Sequence, residues 1–170
     1  MRGRPITCCF TGHRPGKLPW GFNEADPRCT ALKRKIADAV DSAYQSGYRH
    51  FICGMAQGCD FYFAEAVLAL RARCGGVTLE AAVPCPEQAA SWPRRDQTRY
   101  QALLAACDFE TLVQEHYSPG CMQRRNRYMV DHSALIIAVY DGLPGGTRQT
   151  LEYAIRQKVD FVDIHPEGTP

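Results

Sequence analysis

Two glycine-rich segments hold the residues best suited to chemistry. One is Gly54-Met55-Ala56-Gln57-Gly58, followed closely by Asp60; the other is Pro144-Gly145-Gly146-Thr147. Glycine lets a backbone approach a ligand unobstructed, and the amides that open a helix attract anions. If each segment joins a strand to a helix, its amides suit a phosphate, and the Thr147 hydroxyl adds a donor. Valine at Gly58 or Gly146 is then expected to obstruct that approach. Either cluster alone is explained equally well by tight connections that need glycine for steric reasons. Asp60 fits a helix cap or an acid, the cap being the commoner use of such a position. Arg124, Arg125 and Arg127 form a basic run whose guanidinium groups suit bidentate phosphate binding, or simply a solvated helix face.

The elements that must carry these residues follow from apolar periodicity. Ile6 to Thr11 reads as a strand, and Gly12-His13-Arg14-Pro15-Gly16 as the turn after it. Asp26-Pro27 opens a helix whose apolar positions, Leu32, Ile36, Ala39, Val40 and Ala43, recur at helical spacing until Gly47. His50 to Cys53 is a second strand, and Phe61 to Ala72 a helix. Val77 to Val83 is a third strand, Trp92 to Ala106 a helix, and Phe109 to Val113 a fourth strand. Met122 to His132 is helical, Ala134 to Tyr140 is a strand, Thr147 to Gln157 is helical, and Val159 to Ile164 is the last strand. Strands alternating with long helices predict parallel crossovers, and the apolar run from Ala134 to Val139 suits a strand covered on both faces. The expected fold class is α/β, a Rossmann-like three-layer sandwich with a mainly parallel central sheet, built as one domain over residues 1–170.

In such a sheet every strand ends at one edge, where ligands bind. Both glycine turns then share that edge with His13 and Arg14, and the joint position raises nucleotide or other anion binding above the steric explanation. Trp92, after the third strand, is expected to border the same crevice, either stacking on a base or packing a loop.

Composition narrows the function further. Lys and Arg number 20 against 18 Asp and Glu, a formal charge of +2 that gives no reason to expect a polyanion, so nucleic acid is not expected as a partner. No apolar run is long enough to span a bilayer, and the first residues lack the apolar segment of a secretory signal, so a cytoplasmic location and no membrane partner are expected. The nine cysteines include no CxxC pair, and the five histidines show no HxxxH or HxH spacing. The thiols read as small apolar residues, and neither metal nor cofactor is expected. A homodimer is left open.

Cys9-Phe10-Thr11-Gly12-His13-Arg14-Pro15, the Gly54 to Asp60 turn and Pro144-Gly145-Gly146-Thr147 together resemble the SLOG superfamily, and its YpsA-like branch in particular. Pro86-Glu87-Gln88 through Trp92, Gln123 through Asn126 and Asp131-His132-Ser133-Ala134 extend the likeness over nearly the whole chain. The resemblance implies a Rossmann-like sensor or regulatory domain for a nucleotide or a derivative such as ADP-ribose. A narrower resemblance joins Arg125-Asn126-x-x-Met129 and Pro144-Gly145-Gly146 followed by Glu152 to the LOG phosphoribohydrolases, which cleave the N-glycosidic bond of nucleoside 5'-monophosphates. That likeness implies Arg125 and Glu152 as catalytic residues that meet near the Pro144 to Thr147 turn. This sequence departs from the LOG pattern in carrying Asn126 for a lysine, and Arg148 and Gln149 for Gly-Thr.

Overall fold

The computed structural model describes residues 6–167; residues 1–5 and 168–170 of the expected domain lie outside them. Strands β1 (Thr7–Thr11), β2 (His50–Cys53), β3 (Thr78–Val83), β4 (Phe109–Leu112), β5 (Leu135–Val139) and β6 (Asp160–Ile164) alternate with helices α1 (Pro27–Gln45), α2 (Cys59–Arg73), α3 (Arg94–Ala106), α4 (Cys121–Asp131) and α5 (Gly146–Arg156). The element order is the expected one, with an added 3-10 turn at Pro15–Lys17. The clearest boundary change is at α3, which starts two residues beyond Trp92 because Pro93 takes the N-cap position.

The strand order is β4-β3-β2-β1-β5-β6, and each of the five pairings is parallel. The fold is therefore an α/β, Rossmann-like one. Alternation along each strand divides the core into two layers. Cys8, Phe10, Phe51, Leu79 and Ala81 pack with Leu32 and Ile36 of α1 and with Phe63 and Val67 of α2. Cys9, Ile52, Ala82 and Ile136 face the other way, onto Met129 and Val130 of α4 and Ala154 of α5. Asp26 caps α1 by accepting the Arg28 amide at 2.8 Å, with Pro27 at the first turn as its sequence predicts. All nine cysteines are free thiols, most of them buried. No helix among the described residues is long and apolar enough to cross a membrane.

One charged group interrupts the second layer. Glu80 of β3 is buried, and its carboxylate accepts from Tyr128 Oη at 2.6 Å and Thr111 Oγ1 at 2.8 Å, with His50 Nε2 2.6 Å away. His50 is itself held through Nδ1 at 2.8 Å from Thr78 Oγ1. The cluster ties β2, β3, β4 and α4 together through one acceptor. Burial pushes the Glu80 pKa up, but the hydrogen bonds from His50, Tyr128 and Thr111 outweigh it and hold the carboxyl below 4.5. A depressed carboxyl stabilises the fold above its unfolded-state pKa and loses that contribution as pH falls through the folded value. Glu80→Ala is expected to cost about 2–3 kcal/mol at pH 7 in urea unfolding, because three polar partners lose their acceptor. The gap from the wild type should shrink in the same measurement well below pH 4.5; a constant gap would rule out an ionised Glu80 as its source.

Candidate functional site

Strands β1 to β4 stack outward in one direction and β5 and β6 in the other, so the loops leaving β1 and β5 diverge at the carboxyl edge. Ligands of open α/β sheets bind where the strand order reverses in this way. A cleft of about 340 Å³ opens there. His13, Arg14 and Lys17 line it from the β1 loop, Ala56 and Asp60 from the β2 turn and the start of α2, Met122, Arg125, Asn126 and Met129 from α4, and Gly146 and Thr147 from α5.

The two glycine turns differ in what occupies their amides. At the start of α5, Gly145 is the N-cap residue and supplies no side chain, and the first amide there with a protein acceptor is that of Gln149, to Gly145 O at 3.1 Å. Among the described residues the amides of Gly146, Thr147 and Arg148 have no acceptor, as the first turn of a helix dictates. A Cβ built on Gly146 meets nothing within 4 Å, so this residue borders open cleft. Lys17 Nζ donates to Pro144 O at 3.1 Å, which holds an ammonium beside the same turn.

At the start of α2 two of the nearby amides already have protein acceptors. Cys59 N–H donates to His13 O at 3.2 Å, and Ala56 N–H donates to Asp60 Oδ2 at 3.0 Å. Gly58, not Asp60, is the N-cap residue of α2, and Asp60 stands in the first turn and ties the preceding loop back to the helix. Gly58 has φ +85, and a Cβ there would stand 2.9 Å from His13 O and from Pro15 Cδ. Its glycine is therefore required by packing against the β1 loop, and the expectation that it clears a path for phosphate is corrected. Gly12 is similar, since a Cβ would stand 2.8 Å from Cys59 Cβ. Gly54 is covered by Arg125, whose Cζ would lie 2.7 Å from an added Cβ. Met55, buried with φ +55, completes the turn beneath the cleft without lining it.

Arg125 is buried, and its guanidinium donates to the carbonyl oxygens of Gly54 and, at 3.5 Å, of Ala82, while Nε donates to Asn126 Oδ1 at 2.8 Å. Burial pushes its pKa below the ordinary arginine value, opposed by the charge of Asp60. Burial likewise raises the Asp60 pKa, opposed by Arg125 and the Ala56 amide. His13 is buried with Nε2 3.2 Å from Asp141 Oδ1, within ion-pair range but not aligned as a hydrogen bond. Burial lowers the His13 pKa, and Asp141 only partly restores it.

The structure does not bring Arg125 and Glu152 together. Glu152 is half exposed, bonded to Arg148 Nε at 2.9 Å, and lines a separate groove of about 180 Å³ between α4 and α5. The sequence argument weighed only the rise along α5, whereas five residues at 3.6 per turn carry Glu152 about 140° around the axis from Thr147. Trp92 is not in the cleft either: its ring packs edge-on against Phe61 at 5.9 Å and Tyr100 at 5.3 Å, so it takes the packing role. Pro144 and Gly145 shape the turn but do not line the cleft. Sequence reasoning missed Lys17, Asp141 and the two glutamines Gln123 and Gln149. Lys17 and Asp141 had a signal, since each lies in a loop directly after a strand at the carboxyl edge; the glutamines are placed by helix packing alone.

The sheet order and the cleft at its reversal define a Rossmann-like α/β protein with a ligand crevice of the usual position. Over residues 8–164 the chain matches the YspA SLOG family, and it belongs to that family. The SPbeta prophage-derived protein YoqJ of Bacillus subtilis (strain 168) is 33% identical over 143 residues, covering 76% of this chain and 83% of that protein. A UPF0398 protein of Bacillus pumilus (strain SAFR-032) is 23% identical, covering 90% of this chain and 81% of its own. Among solved structures, DNA processing protein A from Streptococcus pneumoniae superposes with a TM-score of 0.62 at 14% identity, covering 92% of this chain and 49% of that one. DNA processing protein A from Helicobacter pylori gives 0.62 at 15%, covering 94% and 65%. The chain thus spans about half to two thirds of those structures, and the likeness is one of fold.

The Helicobacter pylori protein has a single-stranded DNA binding mode. This overturns the expectation against nucleic acid. Net charge was the wrong measure, because binding depends on where positive groups cluster rather than on their sum.

Two outcomes test this description. Gly58→Ala is expected to destabilise the protein by about 2 kcal/mol, because it combines a left-handed backbone with a backbone contact; a thermal melt should fall by about 4–8 °C. A melt unchanged from the wild type would refute the packing role. His13, with its pKa lowered, favours the folded state above the free histidine value of 6.5 and loses that contribution as pH falls from there through its folded pKa. His13→Gln should therefore lose less stability than the wild type between pH 7.5 and 5.5 in urea unfolding, and parallel pH slopes would refute the burial of a neutral ring.

Proposed function

We propose that the protein binds a phosphate-bearing nucleotide or nucleotide-derived ligand, of the ADP-ribose kind, and acts as a sensor or regulatory domain. The observation that carries this reading is the open N-terminus of α5. Two amides without acceptors, those of Gly146 and Thr147, border the cleft at the strand-order reversal, and the Arg148 amide follows them in the same turn. Arg14 and Lys17 line the same cleft and add positive charge at its mouth. The buried His13 lines the same cleft, with its Nε2 held 3.2 Å from Asp141 Oδ1. The cleft volume is of the size that holds a small ligand.

A second reading, single-stranded DNA, is favoured by the Helicobacter pylori neighbour, and it calls on the same chemistry, since a strand presents phosphates to amides and cations. The two readings part on what fills the cleft: a terminal phosphate in the first, an internal phosphodiester in the second.

Gly146→Val separates both from an unrelated site. A Cβ at this position meets nothing within 4 Å beyond its own turn, so the unliganded melt should stay within a few degrees of the wild type. Loss of one or two charge-assisted hydrogen bonds should weaken ADP and ADP-ribose by at least about 10-fold in calorimetric titration. A thymidine decamer followed by fluorescence anisotropy tests the second reading, and its affinity should fall steeply with salt if phosphates carry it. Unchanged affinity of Gly146→Val for every ligand that the wild type binds would remove the α5 site.

A further inference from the structure

The cleft has a second polar end, chemically opposite to the first. Asp60 is 6% exposed, lines the cleft, and uses only Oδ2 within the protein, for the Ala56 amide. Among the described residues no donor reaches Oδ1 and no cation pairs with the carboxylate within 4 Å; Arg125 and Arg14 act on it only from farther away. A carboxylate is an acceptor, and Oδ1, on the cleft wall, is open to a donor. Phosphate oxygens cannot fill it, because like charges would meet in a low-dielectric site. A cationic donor is disfavoured by Arg125 and Arg14 nearby. A neutral donor remains, and the neutral donors nearest the phosphate of a nucleotide are its sugar hydroxyls.

Resting on the phosphate site proposed above, the geometry points to a ligand of ribose type, with its phosphate on the amides of α5 and a sugar hydroxyl donating to Asp60. Asp60 is then the residue that tells ribose from deoxyribose, and it sets the direction in which the ligand lies across β1. A short ligand carrying both groups satisfies the two ends at once, whereas a deoxyribose strand leaves Asp60 unfilled.

Calorimetric titration of the full chain with AMP, 2'-deoxy-AMP and 2',3'-dideoxy-AMP tests this. Wild type should bind the dideoxy compound about 10-fold or more weakly than AMP, the loss expected when a hydrogen bond to a charged group is removed. Asp60→Asn keeps an oxygen for the Ala56 amide, and circular dichroism with a thermal melt shows whether it folds. In the folded variant most of the difference among the three nucleotides should vanish while phosphate-dependent binding persists. Equal affinities in the wild type overturn the inference with no variant needed, and so does a preference that survives in folded Asp60→Asn. Failure of the underlying phosphate site looks different: there Gly146→Val leaves AMP binding unchanged, or wild type binds no nucleotide at all.

Discussion

A guanidinium buried against a glycine fixes the geometry of the carboxyl edge. Arg125 reaches from α4 across the ends of β2 and β3 and donates to the carbonyls of Gly54 and Ala82. Removing such a group from water is costly, and the cost is offset only where oriented acceptors and an opposite charge stand near. Both are present, since the strand-end carbonyls point at the guanidinium and the charge of Asp60 acts on it. A side chain at position 54 would displace the guanidinium from this place. It also sets the phase of α4. Met122, Arg125, Asn126 and Met129, spaced three and four residues apart, share one helical face, so anchoring Arg125 turns the other three toward the cleft.

A second constraint works on the other side of β1. The β1 loop and the start of α2 are pressed together until the His13 carbonyl accepts the Cys59 amide and no Cβ fits at Gly12 or Gly58. That contact takes up the first amide of α2 while it fixes the backbone of His13 at the cleft wall. At the α5 turn Lys17 stands against Pro144 and Gly145, while Gly146 faces open space. Two glycine turns therefore serve different purposes. One uses glycine so that protein can approach protein, and the other leaves helix amides facing space.

This difference explains what could and could not be read from the sequence. Strand and helix periodicity depends on local patterning, and the apolar runs at Cys8 to Phe10 and Leu135 to Val139 carried the parallel sheet without ambiguity. Even the weakly patterned edge strands β4 and β6, largely exposed, followed from their place in the alternation. Within the site, the carboxyl edge, His13, Arg14, Asp60, Gly146 and Thr147 were legible because position after a strand is a property of order along the chain, whereas Arg125 and Asn126, on α4, were picked out by the basic run and the family resemblance. The roles of Gly54 and Gly58 were not, since they are decided by which distant atom fills the space a side chain would take. Glu152 and Trp92 failed for a related reason. Proximity along a helix axis or in a loop says nothing about azimuth, and azimuth sent Glu152 to Arg148 and Trp92 to Phe61 and Tyr100.

Polarity across the cleft follows from the same construction. The α5 amides and Lys17 make one end electropositive, and this depends on α5 beginning just where β5 releases the chain beside β1. The Asp60 carboxylate sits at the other end because the first turn of α2 must bind its own loop through Ala56. Arg125 stands close enough to act on Asp60 electrostatically, yet it is spent on backbone carbonyls and forms no ion pair with it. Were Arg125 free to pair with Asp60, the carboxylate would be neutralised and the cleft would carry positive charge throughout, suited to any polyanion. Because the sheet edge claims the guanidinium first, the cleft keeps a donor end and an acceptor end, and a chain with a net charge of only +2 presents a directional site.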